Sequence, residues 1–233
     1  MTALLYRWPD TAKFGRVVPK SKFYERGLVT PAVKGKFVDE VQRITWAYKL
    51  AESTINLSGT KTLPELQVFQ IDAKGDDVSD VVLTAIDKAV KTPIIFEIAR
   101  SNSDSPQTRM VAAHKHLGAG VPKVGAYFTT SWQGSDTGRA PIPTAINLST
   151  LYAALLAPLL PVAARPGEEL SEVTARLEAA RQIEREIATL GRKIRNEPQF
   201  NRKVELRRAL KTKQRSLADL TSQTPGAMPR TKN

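Results

Sequence analysis

The chain has 233 residues, 41% of them hydrophobic, and a formal net charge of +12. This length allows one sizeable core with an appendage, or two domains, and no apolar run approaches the roughly 18 residues that a membrane-spanning helix needs. The absence of cysteine excludes disulfides and thiolate chemistry, and with no export signal visible at the N-terminus it predicts a cytoplasmic protein.

The first predicted element is a helix that begins at Thr30 and Pro31, a capping residue followed by a first-turn proline. Apolar residues then recur at steps of three and four, which is the spacing of one helical face. We expect a single helix that carries this stripe, made of Phe37, Val41, Ile44, Tyr48 and Ala51. A short strand is predicted to follow over residues 54–57.

The next segments read as strand, helix and strand within about 35 residues, which is the length of a βαβ unit with parallel strands. Two further strands separated by Gly, Pro and Ser clusters predict an antiparallel extension of the sheet, and another helix is expected to cover it. In chain order these elements are residues 66–72, 77–90, 93–98, 109–114, 123–130 and 147–156.

A segment with three prolines and a glycine, residues 157–167, predicts a boundary. Two long apolar stripes beyond it, interrupted near Pro198, predict two antiparallel helices. The predicted fold class is therefore α/β: a mixed β-sheet flanked by helices over residues 1–160, followed by a C-terminal antiparallel helical hairpin over residues 168–221. Such a hairpin buries little surface alone, so we expect it to pack on the main domain, a second copy or a partner. Residues 222–233 are predicted to be a disordered tail.

The strand PELQVFQIDAKGDD, residues 64–77, ends in an acidic residue, one spacer and a lysine, namely Asp72 and Lys74. Many metal-dependent nucleases present a carboxylate and a lysine in this way, with a second carboxylate converging on the same Mg²⁺. The alternative is that Asp72 and Lys74 are polar residues that terminate a buried strand, with Lys74 pairing with Asp76 or Asp77.

The second carboxylate is not Glu65, although Pro64 and Glu65 complete a familiar nuclease pattern. Seven residues of extended strand separate Glu65 from Asp72 by about 23 Å, and the odd spacing puts them on opposite faces. Glu40, on the first predicted helix, is the remaining candidate. The nuclease hypothesis therefore names Asp72, Lys74 and Glu40 as catalytic residues.

Other chemistry is poorly supported. The two histidines, His114 and His116, alternate along one strand, but no further histidine or cysteine exists to complete a metal site. No Gly-rich phosphate loop and no nucleophilic serine motif occurs. We therefore expect no metal and no cofactor, with Mg²⁺ required only under the nuclease hypothesis.

Positive charge is concentrated near the two ends of the chain. Residues 7–36 hold eight basic and two acidic residues, and residues 192–215 hold ten basic and two acidic ones. This segregation favours a polyanionic partner, although such clusters also occur on helices that are simply solvated. The predicted nucleic-acid contacts are Lys20, Lys22, Arg26, Lys203, Arg207, Arg208, Lys211 and Arg215. Phe23 and Tyr24, among the first of these, either stack on bases or anchor the core.

Several segments together resemble one uncharacterised bacterial family, domain of unknown function 4391. They are VPKSKFYERG, VQRITWAYKLAESTINL, ELQVFQIDAKGDDVS, AIDKAVKTPIIFEI and QFNRKVELRRAL. The genes of this family are often found beside helicases and DNA methyltransferases. The resemblance therefore implies an accessory to DNA-acting machinery, and it implies no catalytic residues.

We expect a non-catalytic accessory protein of a restriction-type or phage-defence system. It would bind nucleic acid, or a DNA-acting protein such as a helicase or methyltransferase, through the basic N-terminal and hairpin surfaces. Two alternatives stand beside this expectation. One is a divergent Mg²⁺-dependent nuclease using Asp72 and Lys74, and the other is an assembly factor that forms a homodimer through its hairpin.

Overall fold

The structure is a computed structural model of the chain, and it describes residues 5–26, 29–61, 63–100, 105–116, 122–134 and 136–222, without the side chains of Arg26 and His116. The chain divides into two compact units, Met1–Pro161 and Val162–Asn233. Each is described by itself. The predicted tail, apart from Ser222, lies outside the described residues.

The first unit is built on a seven-stranded mixed sheet. Its strands are β2 (Lys13–Val17), β3 (Val41–Ala51), β4 (Glu65–Ala73), β5 (Ile94–Arg100), β6 (Gln107–His116), β7 (Lys123–Thr129) and β8 (Gln133–Gly134). They lie in the order β2-β3-β4-β5-β6-β7, with β8 pairing with β6. Only the β4–β5 pair is parallel among the pairs of this sheet. Two short strands, β1 (Tyr6–Arg7) and β9 (Ala140–Pro141), form a separate parallel pair.

Helices flank this sheet, which confirms the predicted fold class. They are α1 (Ser21–Arg26), α2 (Pro31–Glu40), α3 (Glu52–Ile55), α4 (Asp80–Ala89) and α5 (Leu148–Leu156), with 3₁₀ turns at Asp10–Ala12 and Ala157–Leu159. The crossover helix α4 joins β4 to β5, as predicted for the βαβ unit. It packs with α1 and α2 over one face, where the buried core includes Phe23, Phe37, Phe69, Ile86 and Phe96.

The opposite face of the sheet is covered by α5, which contacts β4 and β6. Side chains alternate between the two faces of β4. Phe69 and Ile71 lie in the core under α1, α2 and α4, and the buried Leu66 and Val68 lie on the face covered by α5. Asn147 caps α5 by accepting a hydrogen bond from Thr150 N at 2.9 Å. The predicted covering helix is therefore confirmed.

The prediction of one helix through Ala51 is wrong. The helix that starts at Pro31 ends at Glu40, and Val41–Ala51 forms strand β3. The buried residues of β3 are Val41, Ile44, Ala47, Leu50 and Ala51. Pairing between β3 and β4 shifts twice, between Val41 and Arg43 and between Trp46 and Tyr48. Each bulge inserts one extra residue into β3 and so reverses which side chains face the core. Buried residues therefore recur every three positions, which is close to the spacing of one face of a helix.

The predicted strand at residues 54–57 is also wrong, because the short helix α3 occupies Glu52–Ile55. Thr54 Oγ1 accepts a hydrogen bond from Ala51 N at 2.9 Å and donates one to Lys49 O at 2.8 Å. This local bonding, typical of threonine at a turn, closes the chain after β3.

The second unit is an antiparallel pair of helices, α6 (Leu170–Asn196) and α7 (Phe200–Thr221), and this confirms the predicted hairpin. An ion pair of 2.7 Å between Glu186 and Lys213 joins the middles of the two helices. At the open end Arg176 Nη1 donates to Leu220 O at 2.8 Å, and Arg165 Nη2 donates to Asp219 O at 2.6 Å. Two arginines thus satisfy carbonyls in the last turn of α7.

Candidate functional site

The pairing of β3 with β4 brings the start of β3 beside the end of β4. Val41 lies opposite Ala73 and Arg43 opposite Asp72, and Lys74 N donates to Glu40 O at 2.9 Å. The three residues named by the nuclease hypothesis, Glu40, Asp72 and Lys74, therefore meet at one end of the sheet. We call this group, together with Arg43 and Lys20, the Asp72 cluster.

The side chain of Glu40 points toward the beginning of α4. Its Oε2 accepts a hydrogen bond from Ser79 N at 2.8 Å, and its Oε1 accepts one from Lys36 Nζ at 3.0 Å. Burial acts to raise the pKa of Glu40, but the hydrogen bonds from Ser79 and Lys36 outweigh it and hold the pKa below its usual range. Glu40 is therefore a carboxylate at neutral pH.

Asp72 and Lys74 both have protein partners. Asp72 Oδ2 accepts a hydrogen bond from Arg43 Nε at 2.8 Å, and Lys74 Nζ donates to Val38 O at 2.6 Å. The Arg43 side chain is 61% exposed and that of Asp72 is 36% exposed, so the pair is open to solvent. The predicted pairing of Lys74 with Asp76 or Asp77 does not occur.

Lys20 joins the cluster from the segment before α1. Its Nζ donates to Val41 O, the residue that follows Glu40. Burial, followed by the positive charge of Lys74, lowers the pKa of Lys20. Two lysines therefore lie close enough to repel each other, an arrangement that an anionic ligand would relieve. The sequence named Lys20 as a nucleic-acid contact but did not indicate that it lies beside Lys74.

Glu65 is remote from this cluster, as the strand geometry predicts. It occupies the other end of β4, where it pairs with Lys49 at 2.6 Å and accepts a hydrogen bond from Gln67 Nε2 at 2.8 Å. The Pro64 and Glu65 pair is therefore not the nuclease motif that it resembles.

Cationic side chains also lie at the carboxyl end of β5, next to that of β4 in the parallel pair. The guanidinium carbon of Arg100 lies 4.1 Å from the ring centroid of Trp132, and that of Arg109 lies 5.2 Å from the same centroid. Arg109 also pairs with Asp77 at 2.6 Å. Ligands of open α/β sheets bind outside the carboxyl ends of the strands, so this edge is where a site is expected. Sequence reasoning missed Trp132 because no local pattern links it to β5.

Glu97 is a second residue that the sequence did not single out. This carboxylate is almost fully buried, and it accepts hydrogen bonds from Trp8 Nε1 at 2.8 Å, Arg139 Nη1 at 2.7 Å and Gln70 Nε2 at 3.3 Å. Because donors on three separate segments occupy its oxygens, Glu97 holds the N-terminal segment and the Arg139 loop onto the sheet. Its role is structural.

The family model described as domain of unknown function (DUF4391) matches residues 7–217. The chain belongs to the DUF4391 family. Comparison with curated proteins and with solved structures found no match. The DUF4391 match covers both units, from β1 to most of α7, so the Asp72 cluster and the hairpin are parts of one family domain.

The remaining predicted site residues of this DUF4391 protein fall into two sets. On α7, Arg207, Arg208, Lys211 and Arg215 are exposed, whereas Lys203 is half-buried. Near the N-terminus, Lys22 pairs with Glu25 at 3.3 Å on the surface, and the Arg26 side chain lies outside the described part. Phe23 is buried against Phe37 and Phe69, so it anchors the core.

The histidines do not form a site in the part of the chain that the structure describes. The ring of His114 stacks on Tyr152 with centroids 6.3 Å apart, and the His116 side chain lies outside the described residues. Within the described ranges no group of three or more His, Asp or Glu side chains is placed to hold a metal ion.

Among the described residues, none of the helices is both long enough and apolar enough to cross a bilayer.

Proposed function

We propose that this DUF4391 protein is a Mg²⁺-dependent nuclease whose reacting groups are Glu40, Asp72 and Lys74. The observation that carries the proposal is the β3–β4 register, which brings Glu40 from the end of α2 to the carboxyl end of β4. It supplies the carboxylate that the strand ending in Asp72 and Lys74 lacks by itself.

Two carboxylates are enough for this metal. Mg²⁺ dehydrates reluctantly and is commonly held by one or two carboxylates together with waters and substrate phosphate oxygens. Under the proposal Glu40 and Asp72 would be these two ligands, since both carry carboxylate oxygens and lie on adjoining segments; the Glu40 side chain, now bonded to Ser79 N, would have to turn toward Asp72. A third acidic ligand, which the described residues do not provide, is not needed for such a site.

The cations of the cluster suit a phosphodiester. Lys74 and Lys20 lie beside Glu40, and Arg43 lies beside Asp72. If Asp72 bound a metal ion, the exposed Arg43 guanidinium would be freed from that carboxylate and could bind two phosphate oxygens in bidentate geometry. The arrangement therefore balances a divalent cation against a phosphate within one small cluster.

The proposed reaction is hydrolysis. Glu40 and Asp72 would hold the ion, which would supply an activated water. In the balanced reaction the oxygen of that water would bond to phosphorus and release a proton to solvent, while the bond from phosphorus to the leaving oxygen would break and that oxygen would take a proton from solvent. Lys74 and Lys20 stabilise the negative charge that grows on the phosphoryl oxygens in the transition state.

The test is cleavage of single-stranded and duplex DNA and RNA by the purified full chain with Mg²⁺, Mn²⁺ or EDTA. We expect metal-dependent cleavage that Glu40→Gln, Asp72→Asn and Lys74→Met each reduce by about 10²-fold or more. Asp39→Asn, at an exposed neighbour of Glu40, is the matched control and should cleave like the wild type. A wild-type protein that cuts none of these substrates with either metal would refute the proposal.

A second candidate function is supported by α7. In the part of the chain that the structure describes, its five predicted contacts have no carboxylate within ion-pair distance. Arg208, Lys211 and Arg215 are spaced to lie on one helical face, which suits contact with a phosphate backbone without reading of bases. We infer from this that the hairpin binds nucleic acid.

This second proposal keeps the expected role of a cytoplasmic accessory protein in a restriction-type or phage-defence system, with a helicase or methyltransferase as the alternative partner. It predicts binding to duplex DNA whose affinity falls steeply with salt. If α7 instead mediates a homodimer, sedimentation will give a dimer that does not depend on DNA.

A further inference from the structure

The first unit contains a cavity of about 1000 Å³ at the opposite end of β4 from the Asp72 cluster. Gln67, which lines it, is five residues before Asp72 on the same strand, or about 16 Å away along the strand. The volume of the cavity lies at the upper end of the range found for small-molecule sites. The proposed nuclease reaction does not use this cavity.

The wall of the cavity is aromatic. Phe23, Trp46 and Phe69 line it, and the rings of Trp46 and Phe69 are nearly parallel, with centroids 5.9 Å apart and an interplanar angle of 9°. Such a wall favours a flat, unsaturated ligand that can add to the stack.

Two polar atoms within this wall have no partner among the described residues. They are Trp46 Nε1, a donor, and Gln67 Oε1, an acceptor. Gln67 is 1% exposed, and its Nε2 donates to Glu65 Oε1 at 2.8 Å and to Thr92 Oγ1 at 3.2 Å. Because a carboxylate only accepts, the amide nitrogen must face Glu65, and the amide oxygen is left over. Unpaired buried groups of this kind are costly and call for a ligand or water.

The rim of the cavity is cationic. Lys22, Lys88 and Lys91 line it, against a single carboxylate, Glu65, which is already paired with Lys49. Within the described residues Lys88 and Lys91 have no carboxylate at ion-pair distance. The ligand should therefore carry negative charge at the end that faces solvent.

We propose that this cavity binds a nucleotide, with the base against Trp46 and Phe69 and the phosphate at Lys88 and Lys91. An unpaired donor and an unpaired acceptor match the edge of a nucleobase, which offers both. Because Trp46 Nε1 and Gln67 Oε1 are buried, the proposal requires the partly exposed Trp46 ring to shift as the base enters, and Trp46 fluorescence would report that shift. The same chemistry is offered by a free nucleotide and by an unstacked base of a nucleic-acid strand.

The experiment is calorimetric titration of the full chain, without divalent metal, with the four nucleoside monophosphates, their nucleosides, inorganic phosphate and a short single-stranded oligonucleotide. We expect at least one nucleotide to bind more tightly than its nucleoside and than phosphate. Competition by the oligonucleotide identifies a base within a strand as the occupant, and its absence identifies a free nucleotide. The metal-free condition makes the result independent of whether the Asp72 cluster cleaves.

Three variants test whether the nucleotide binds in this cavity. Lys88→Glu with Lys91→Glu should weaken nucleotide binding by about tenfold or more, since the phosphate loses its cations. Trp46→Phe keeps an aromatic ring and removes only the N–H donor, so it should weaken binding by about fivefold and abolish the fluorescence change. Lys61→Glu, an exposed lysine that does not line the cavity, should bind like the wild type. Absence of saturable binding at millimolar nucleotide, or binding unchanged in the first two variants, would overturn the proposal.

Discussion

At the scale of single residues, Asp87 of α4 and Lys115 of β6 form a buried ion pair. Lys115 Nζ lies 2.6 Å from Asp87 Oδ1 and also donates to Val90 O at 3.0 Å and Thr92 O at 2.7 Å. The Tyr127 hydroxyl donates to Asp87 Oδ2 at 2.7 Å. Burial raises the pKa of Asp87 and lowers that of Lys115. The charge of each side chain, and the hydrogen bond between them, act against the effect of burial on the pKa of the other. Because Lys115 donates to the carbonyls of Val90 and Thr92, it caps the chain where α4 ends.

Replacing Lys115 by methionine should lower the free energy of unfolding by about 3–5 kcal/mol, because it leaves a buried carboxylate and several carbonyls unpaired. Adding Asp87→Asn to Lys115→Met should recover part of this loss, since the remaining buried group is then neutral. Urea unfolding followed by tryptophan fluorescence measures both changes.

The matched control for this cycle is Lys88→Met on the exposed side of the same helix, which should change stability by less than about 0.5 kcal/mol. If the double variant is no more stable than Lys115→Met alone, the Asp87 charge is not what makes the single substitution costly.

At the scale of elements, strand β4 and helix α4 are predictable from sequence because their patterns are local. The run from Leu66 to Asp72 is a short apolar segment bounded by turn residues, and the segment after Asp80 is amphipathic with helical spacing. Strand β3 is not predictable in this way, because its two bulges give burial at Val41, Ile44, Ala47 and Leu50 the spacing of a helix. The bulges exist only in pairing with β4, so no window of β3 alone reports them.

The same limit applies to the candidate site. The strand end with Asp72 and Lys74 is visible as a motif, and Glu40 could be named as a partner only by elimination. Its position beside Lys74 depends on the β3–β4 register. The approach of Lys20 to Lys74, and of Arg100 to Trp132, joins residues from distant segments. Contacts between residues so far apart in sequence produce no periodic pattern from which they could be predicted.

The open end of the hairpin should be sensitive to acid through Glu168. Arg176 donates to both of its oxygens at 2.7 Å, and these hydrogen bonds lower the pKa of Glu168 to about 2 from an ordinary value of 4.5. A carboxylate with a depressed pKa stabilises the folded state above pH 4.5, and this stabilisation is lost as the pH falls from 4.5 toward 2. The loss should be on the order of 2–3 kcal/mol.

Glu168→Gln should remove this pH dependence and lower hairpin stability at neutral pH by a similar amount. All three tryptophans, Trp8, Trp46 and Trp132, lie in the first unit. Thermal unfolding followed by far-ultraviolet circular dichroism reports both units, and tryptophan fluorescence reports the first alone. Wild-type and variant dichroism curves that stay parallel from pH 7 to about pH 2 would contradict the assignment.

At the scale of the whole molecule, two kinds of charge arrangement are found on the two units. The Asp72 cluster combines carboxylates with lysines, which suits a metal and a phosphate together. On α7 the exposed Arg207, Arg208, Lys211 and Arg215 have no carboxylate within ion-pair distance among the described residues. The first arrangement suits chemistry on a single phosphate, and the second suits low-specificity attraction over many phosphates. The positive charge of the chain is concentrated near its two ends, which favours a polyanionic partner over uniform solubilisation.

The two proposed functions should separate by substitution. Charge reversal at Arg208, Lys211 and Arg215 should weaken duplex binding and reduce the slope of log affinity against log salt by about three, because three phosphate contacts are lost. Asp72→Asn should leave that affinity and slope unchanged and abolish cleavage. Reversal of Lys61 and Lys123, two exposed cations outside both basic segments, is the control and should change the slope far less. If this control lowers the slope as much as the α7 variant does, net charge rather than the face of α7 governs binding.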